Sequence, residues 1–372
     1  MSIPEIVELS RTYGSDPDWV LAGGGNTSYK DEATLWIKAS GFSLATITED
    51  GFAQMDRSKL QAIWDARYPE DSAGREAEAL ADLMAARRPG EEKRPSVETL
   101  MHELIPYPLI VHTHPALVNG VTCGLDAEEG ARRVFGDQAL WIPAIEPGYV
   151  LAVEMRRKVN EYERAHGAPP TIILLQNHGL VISGESSAQI KELHEATARR
   201  VQEAVARTPD LGNLPQDDSV RGWHQMIAAA FPAGSQIAFT ANPELLSRAR
   251  SEETFKPLSG PFSPDHIVYA GKRPVLVAGD AGAQELSEAI AAYAEQEGTA
   301  PRIVVVSGLG AFAVAESQKA ADTALLLFLD EVKIAAYAES FGGARHLDSH
   351  LVEFISSWEV ERYRKKLSTG GS

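Results

Sequence analysis

Cysteine, cationic charge and long apolar runs are all scarce in this sequence, and each shortage excludes something. Its one thiol, Cys123, rules out an intramolecular disulfide, fits a reducing compartment and suits a buried apolar position. No window approaches the roughly 20 consecutive apolar residues that span a bilayer. The opening MSIPEIVELS has neither the basic region nor the long apolar core of a secretory signal, so a cytoplasmic location without a membrane partner is expected. Thirty-five Lys and Arg face 52 Asp and Glu, a net charge of -17. That balance denies the chain the broad basic surface a nucleic acid requires, so any anion must be held by a local site. What remains, 44% apolar and 23% charged residues in a chain of 372, is the composition of a globular protein with material for two cores.

Periodicity gives an α/β reading. PEIVELSRTYG, SKLQAIWDARYP, GREAEALADLMAARRPG and SVETLMHELIP read as helices, the last with Ser96 as its N-cap. ATLWIKAS, PLIVHTHP, QALWIPAI and TIILLQ read as strands, with long helices in GYVLAVEMRRKVNEYERAHG and SSAQIKELHEATARRVQEAVAR. The polar, aperiodic TPDLGNLPQDD is the best linker, which places a first domain at 1–211 and a second, smaller α/β domain at 212–372. In the second, VRGWHQMIAAAF and AQELSEAIAAYAEQ read as helices and RIVVVSG and AFAVAE as strands, with further short strands around DHIVYAG and PVLVAGD. TIILLQNHGLVISGESSAQ and RIVVVSGLGAFAVAESQKA share strand, glycine turn, strand and Glu-Ser, aligning Gly179 with Gly310 and His178 with Leu309. The second domain is then either a degenerate copy without the histidine or a chance match of one segment.

Candidate chemistry gathers in the first domain. His112 and His114, two apart on a strand, project from one face, a geometry in which two neutral imidazoles reach one ion. A lone pair of this kind also caps or packs. His178, in QNHGL after a buried strand, adds a third nitrogen, and all-nitrogen ligation with an open position favours zinc or another divalent cation. The other seven histidines are assigned to packed or exposed positions. Glu98, at the start of a helix, either favours the helix dipole or serves as a proton-abstracting carboxylate beside a polarised carbonyl. Helix amides near Ser96 can hold a phosphate. In VLAGGGNTSYK the glycines are followed by a turn and a strand, not by the helix a dinucleotide fingerprint needs, so an anion cradle or a plain hairpin is indicated.

GGGNTS, KASG, PSVETLMHE, HTHP and QNHGL, in this order and at these intervals, resemble the class II (zinc-dependent) aldolase and adducin-head family. The resemblance is closest to the aldolase half of the bifunctional rhamnulose-1-phosphate aldolase/short-chain dehydrogenase proteins. It implies a three-layer α/β/α domain with a mostly antiparallel central sheet. It also implies metal ligation by His112, His114 and His178, acid/base work by Glu98, and a phosphate pocket of Asn26, Ser40, Gly41 and Ser96. The implied activity is zinc-dependent cleavage of a ketose 1-phosphate to dihydroxyacetone phosphate and an aldehyde, in a homo-oligomer whose sites lie near subunit interfaces. A pentulose-phosphate 4-epimerase, a decarboxylase and a non-catalytic adducin-like scaffold are the alternatives.

Three positions depart from the family pattern. Val97 stands where a second serine is usual, and Phe42 follows Ser40-Gly41 where smaller residues are usual in the closest relatives. The family's aldehyde-side tyrosine has no match in CGLDAEEGARRVFGDQ; Tyr149 is a loose substitute with a structural role as its plainer reading.

Overall fold

A computed structural model describes residues 3–216 and 218–358. Its contacts divide the chain into two compact units: residues 1–118 with 127–204, and residues 119–126 with 205–372. Residues 205–216, which take in most of the stretch TPDLGNLPQDD read as a linker, carry no helix or strand.

The first unit is built on seven strands: β1 (Asn26–Lys30), β2 (Thr34–Lys38), β3 (Phe52–Asp56), β4 (Leu109–Thr113), β5 (Ala139–Ile142), β6 (Ile172–Leu175) and β7 (Gly179–Gly184). They lie in the order β3-β2-β1-β4-β7-β6-β5. Five pairings are antiparallel and one, β5 with β6, is parallel, so the sheet is mixed. The reason is the β5-to-β6 connection, which contains a whole helix and returns the chain in the same direction. Helices α1 (Ile3–Gly14), α2 (Arg57–Ala62), α3 (Ser72–Ala85), α4 (Thr99–Leu104), the first three residues of α5 (Ala116–Thr122), α6 (Ala127–Phe135), α7 (Tyr149–His166) and α8 (Ser187–Ala204) accompany it. Met101 and Ile105 of the α4 segment and Leu151, Met155 and Val159 of α7 close over Ile110, Ile173 and Val181 of the sheet. Because side chains alternate along a strand, the face that carries Ile110 also carries His112.

The second unit holds α9 (Asp218–Ala230), β8 (Gln236–Thr240), α10 (Pro243–Arg248), α11 (Glu252–Phe255), α12 (Pro264–Tyr269), β9 (Val275–Val277), α13 (Ala283–Glu297), β10 (Ile303–Val306), β11 (Gly310–Ala315), α14 (Gln318–Ala338) and α15 (Ser349–Ser357). Its sheet order, β8-β11-β10-β9, repeats β4-β7-β6-β5. The pairing repeats as well: β9 with β10 is parallel like β5 with β6, and the other two pairs are antiparallel. Val306 faces Gly310 as Leu175 faces Gly179, and Thr240 faces Ala311 as Thr113 faces Leu180. A Cβ on Gly179 would lie 2.5 Å from the Thr113 carbonyl oxygen, and one on Gly310 would lie 2.4 Å from that of Thr240. Strand pairing, register and glycine position do not coincide by chance in one matched segment, which supports duplication. By the same register Phe239, Ala241 and Leu309 occupy the positions of His112, His114 and His178.

Three local readings need correction. TSYK is strand, not turn, because β1 and β2 close a hairpin in register. DHIVYAG is helix α12, not strand: Pro264 opens it, and the Ser263 N–H donates to His266 Nδ1 at 3.1 Å. All six residues of that helix are buried, so it shows no 3.6-residue polar period to betray it. The N-cap of α4 is Glu98, with Ser96 two residues before it. No helix among the described residues is long and apolar enough to cross a membrane.

A buried histidine in the first unit gives a pH prediction. His194 of α8 stacks on Tyr13 at 4.0 Å and meets Trp19 edge-on at 4.9 Å. Its Nδ1–H donates to the Ile190 carbonyl at 2.8 Å, and buried Nε2 finds no partner among the described residues. Burial therefore pushes its pKa down to about 4, against a pull from that carbonyl. Between the unfolded value of about 6.5 and the folded one, the unfolded chain binds more protons, so stability falls as pH drops through this window. The group's full contribution is about 3 kcal/mol. In denaturant titrations at pH 7 and 4.5, His194→Phe should lose clearly less stability on acidification than the wild type; equal losses would contradict this account.

Candidate functional site

The β1–β4 pairing places Asn26 directly opposite His112. Gly25, at φ +64°, precedes it, and a Cβ there would stand 2.6 Å from the His112 carbonyl oxygen, so a side chain would push the two strands apart. The glycines of VLAGGGNTSYK thus allow a close crossing beside Asn26, whatever else their amides do.

His112 lies on β4, His114 just past its end and His178 in the β6–β7 turn. His112 Nε2 is 2.9 Å from His114 Nε2 and 3.3 Å from His178 Nε2. His112 Nδ1–H donates to the Leu180 carbonyl at 2.9 Å, which leaves its Nε2 lone pair aimed at the other two rings. Among the described residues these three form the one group of metal-ligating type, with all ligand atoms within 4.8 Å of one another. Nitrogens held by one tetrahedral ion at bonds of about 2.0–2.1 Å stand about 3.3 Å apart. The donor set and its spacing therefore fit a divalent cation.

Glu98 joins this cluster. Its Oε1 lies 3.1 Å from His178 Nε2 and its Oε2 lies 3.5 Å from His112 Nε2. Burial by itself raises the Glu98 carboxyl, but the imidazoles of His112, then His178 and His114, outweigh it and hold the group well below the usual carboxylate range. Burial pushes His112 down to about 3, against the pull of Glu98. At neutral pH the cluster is a carboxylate beside an unprotonated His112, the forms that ligate a cation.

The residues expected to hold an anion lie beside the same cluster. Asn26 Nδ2 donates to Glu98 Oε2 at 2.5 Å and to Ser96 Oγ at 3.2 Å. Ser40 is tied in through backbone pairing: its N–H donates to the Arg94 carbonyl, the Ser96 N–H donates to that of Lys38, and Ala39 bridges Pro95. Its hydroxyl donates to the Pro95 carbonyl at 3.2 Å, and Gly41 turns the chain at φ +91°. Phe42, after that turn, is 39% exposed. Tyr149 packs edge-on against Tyr68 at 4.7 Å, and its N–H donates to Glu76 Oε2, which matches the plainer structural reading.

Three residues went unnoticed in the sequence. The alternating polar positions of β1, Asn26, Ser28 and Lys30, all face α4, and of these only Asn26 stood out, so Ser28, Lys30 and their partner His102 were passed over. Ser28 Oγ lies 2.7 Å from His102 Nδ1, and Asn26 Oδ1 lies 2.5 Å from His102 Nε2. The Lys30 ammonium donates to the carbonyls of His102, Glu103 and Ile105 at the C-terminal end of α4. The signal was available in N-x-S-x-K, polar at every second residue, but it is legible only once NTSYK is read as a strand.

Gly179 offers a test of how tightly the rings are held. A Cβ there would approach His114 Cδ2 to 2.6 Å and His112 Cε1 to 3.3 Å, besides the Thr113 carbonyl oxygen at 2.5 Å. Gly179→Ala should therefore displace both rings and weaken the binding of any divalent cation they hold at least about 10-fold, the smallest loss usual for disturbing a ligand's surroundings. Calorimetric titration of the apoprotein reads this directly, and unchanged affinity would show that the rings have room to shift.

Residues 4–205 match the family described as Class II Aldolase and Adducin N-terminal domain. A curated relative, the "Uncharacterized oxidoreductase YuxG" of Bacillus subtilis (strain 168), is 22% identical over 420 aligned positions that take in 98% of this chain. The chain spans only 58% of that protein's length. Among solved structures, the N-terminal Class II Aldolase domain of a conserved protein from Thermoplasma acidophilum is 28% identical, at a TM-score of 0.46 over 55% of this chain and 93% of its own. The L-fuculose-1-phosphate aldolase from Thermus thermophilus is 16% identical, at a TM-score of 0.35 over 54% and 94%. With the family match covering more than half of its residues, the chain belongs to the class II aldolase and adducin N-terminal domain family.

Proposed function

We propose that the protein is a zinc-dependent lyase that cleaves a ketose 1-phosphate to dihydroxyacetone phosphate and an aldehyde. The observation that carries this reading is the meeting of a part-buried carboxylate, Glu98, with His112 and His178 of the histidine trio on one side and an amide donor, Asn26, on the other. A divalent cation would be held by His112, His114 and His178, where it would supply Lewis-acid polarisation of a carbonyl oxygen. Glu98 takes the hydroxyl proton of the bond-breaking carbon and returns a proton to the enediolate carbon. Asn26, Ser96, Ser40 and the Gly41 turn hold the phosphate, fixing the distance between the anchored end and the reacting carbons. The missing serine at Val97 leaves its backbone amide to serve in place of a hydroxyl. Phe42, exposed beside the Ser40-Gly41 turn, bears on the shape of the substrate end.

The zinc-loaded protein should release dihydroxyacetone phosphate from rhamnulose 1-phosphate or fuculose 1-phosphate, followed with a coupled glycerol-phosphate dehydrogenase. No turnover across a panel of such ketoses would overturn the reading. An epimerised product without fragments would replace it by the pentulose-phosphate epimerase alternative, since that chemistry uses the same residues for cleavage and re-addition.

A further inference from the structure

We infer that His102 is a positioning residue that fixes the orientation of the Asn26 amide and, through it, the Glu98 carboxylate. A carboxylate only accepts, so the Asn26 nitrogen must face Glu98 and its oxygen must face His102. An amide oxygen only accepts as well, so His102 carries its proton on Nε2 and donates it to Asn26 Oδ1. His102 Nδ1 is then an acceptor and takes the Ser28 hydroxyl proton at 2.7 Å. Every donor in the series Ser28, His102, Asn26 points toward Glu98, so each bond polarises the next. His102 is fully buried, and its own place is fixed by α4, whose C-terminal carbonyls take the Lys30 ammonium. Asn26, by contrast, has an amide whose two half-turn orientations are nearly isosteric, and Ser96, whose hydroxyl can donate or accept, does not choose between them. With His102 gone, a rotated amide would present oxygen to the carboxylate and repel it from the imidazoles it now meets.

A histidine that merely packs would be replaced equally well by any side chain of similar bulk, and that difference is testable. Gln at this position reaches where Nε2 stands and can donate to Asn26, whereas Asn reaches only where Nδ1 stands. In crystal structures of the full chain, His102→Gln should keep the Asn26–Glu98 contact and His102→Asn should lose it. The kinetic arm rests on the lyase reading: kcat for the ketose 1-phosphate should fall about 10- to 100-fold in His102→Asn and recover in His102→Gln to within about threefold of the wild type. Adding His102→Asn to Asn26→Ala should cost nothing further, because the two act in series. An unmoved Asn26–Glu98 pair in His102→Asn, equal kinetics for the Gln and Asn variants, or additive losses in the double variant would each overturn the inference. If the wild type cleaves no ketose 1-phosphate, the lyase reading fails while the crystallographic comparison still decides the role of His102.

Discussion

Glu98→Gln is expected to lower the rate of ketose 1-phosphate cleavage by about 10²- to 10⁴-fold, the range that a positioned acid/base group contributes. The substitution is nearly isosteric, so the Asn26, His178 and His112 contacts that surround the carboxylate keep their shape. What it removes is the capacity to accept a proton, together with one negative charge beside the three imidazoles. Zinc should remain bound through His112, His114 and His178, with affinity reduced much less than turnover. Phosphate binding should persist too, since Ser96 and the Ser40-Gly41 turn are untouched, although Asn26 must now meet an amide instead of a carboxylate. The expected signature is a large loss in kcat, a small change in KM and metal content near one ion per chain by elemental analysis. Retained turnover within a few-fold of wild type would remove Glu98 from the chemistry and leave it as a member of the metal cluster.

The distribution of what could be read from sequence has physical causes. β4, β6 and α7 were legible because a buried run or a 3.6-residue period survives in one dimension. α12 was not, because a six-residue helix buried on all sides is indistinguishable from a buried strand. β1 was missed for the opposite reason: Asn26, Ser28 and Lys30 are polar yet face the interior, so the strand looks like a surface turn. Their burial is compensated by His102 and by the α4 carbonyls, partners that lie 72 to 76 positions away and leave no local trace.

The site divides along the same line. His112, His114 and His178 were legible as candidates because ligand chemistry demands particular residue types, and the strand ends that carry them have recognisable flanks. Glu98 was legible chiefly through the family resemblance, since a glutamate at a helix start also has an adequate local explanation in the helix dipole. His102, like the other histidines outside the trio, was assigned to a packed or exposed position for want of a motif. It is packed, and what sequence could not reveal is that both its nitrogens are engaged within the site. The repeat, half-visible as Glu185-Ser186 against Glu316-Ser317, became interpretable through register. Phe239, Ala241 and Leu309 at the three histidine positions leave the second unit's equivalent position without a nitrogen donor.

His178→Ala should cost more than about 100-fold in zinc affinity, exceeding the loss usual for residues that only support a ligand, and should abolish measurable turnover. It is a cleaner deletion than His112→Ala. His112 is fully buried and bonds the Leu180 carbonyl within the sheet, so its removal would also open a cavity and strand an acceptor. His178 sits in a turn, and truncating it leaves the β6–β7 hairpin, with its Leu175–Gly179 register, intact. Metal removal from the wild type should act in the same direction. A cation bound only by the folded chain and present at 1,000 times its dissociation constant stabilises by about 4 kcal/mol. For a domain of this size that corresponds to roughly 10 °C in Tm. Chelator should thus lower the wild-type Tm by about this amount and leave His178→Ala, already without its ion, nearly unaffected. A non-catalytic scaffold predicts the contrary pattern: chelator-independent melting of both proteins, because interlocking side chains alone would carry its fold.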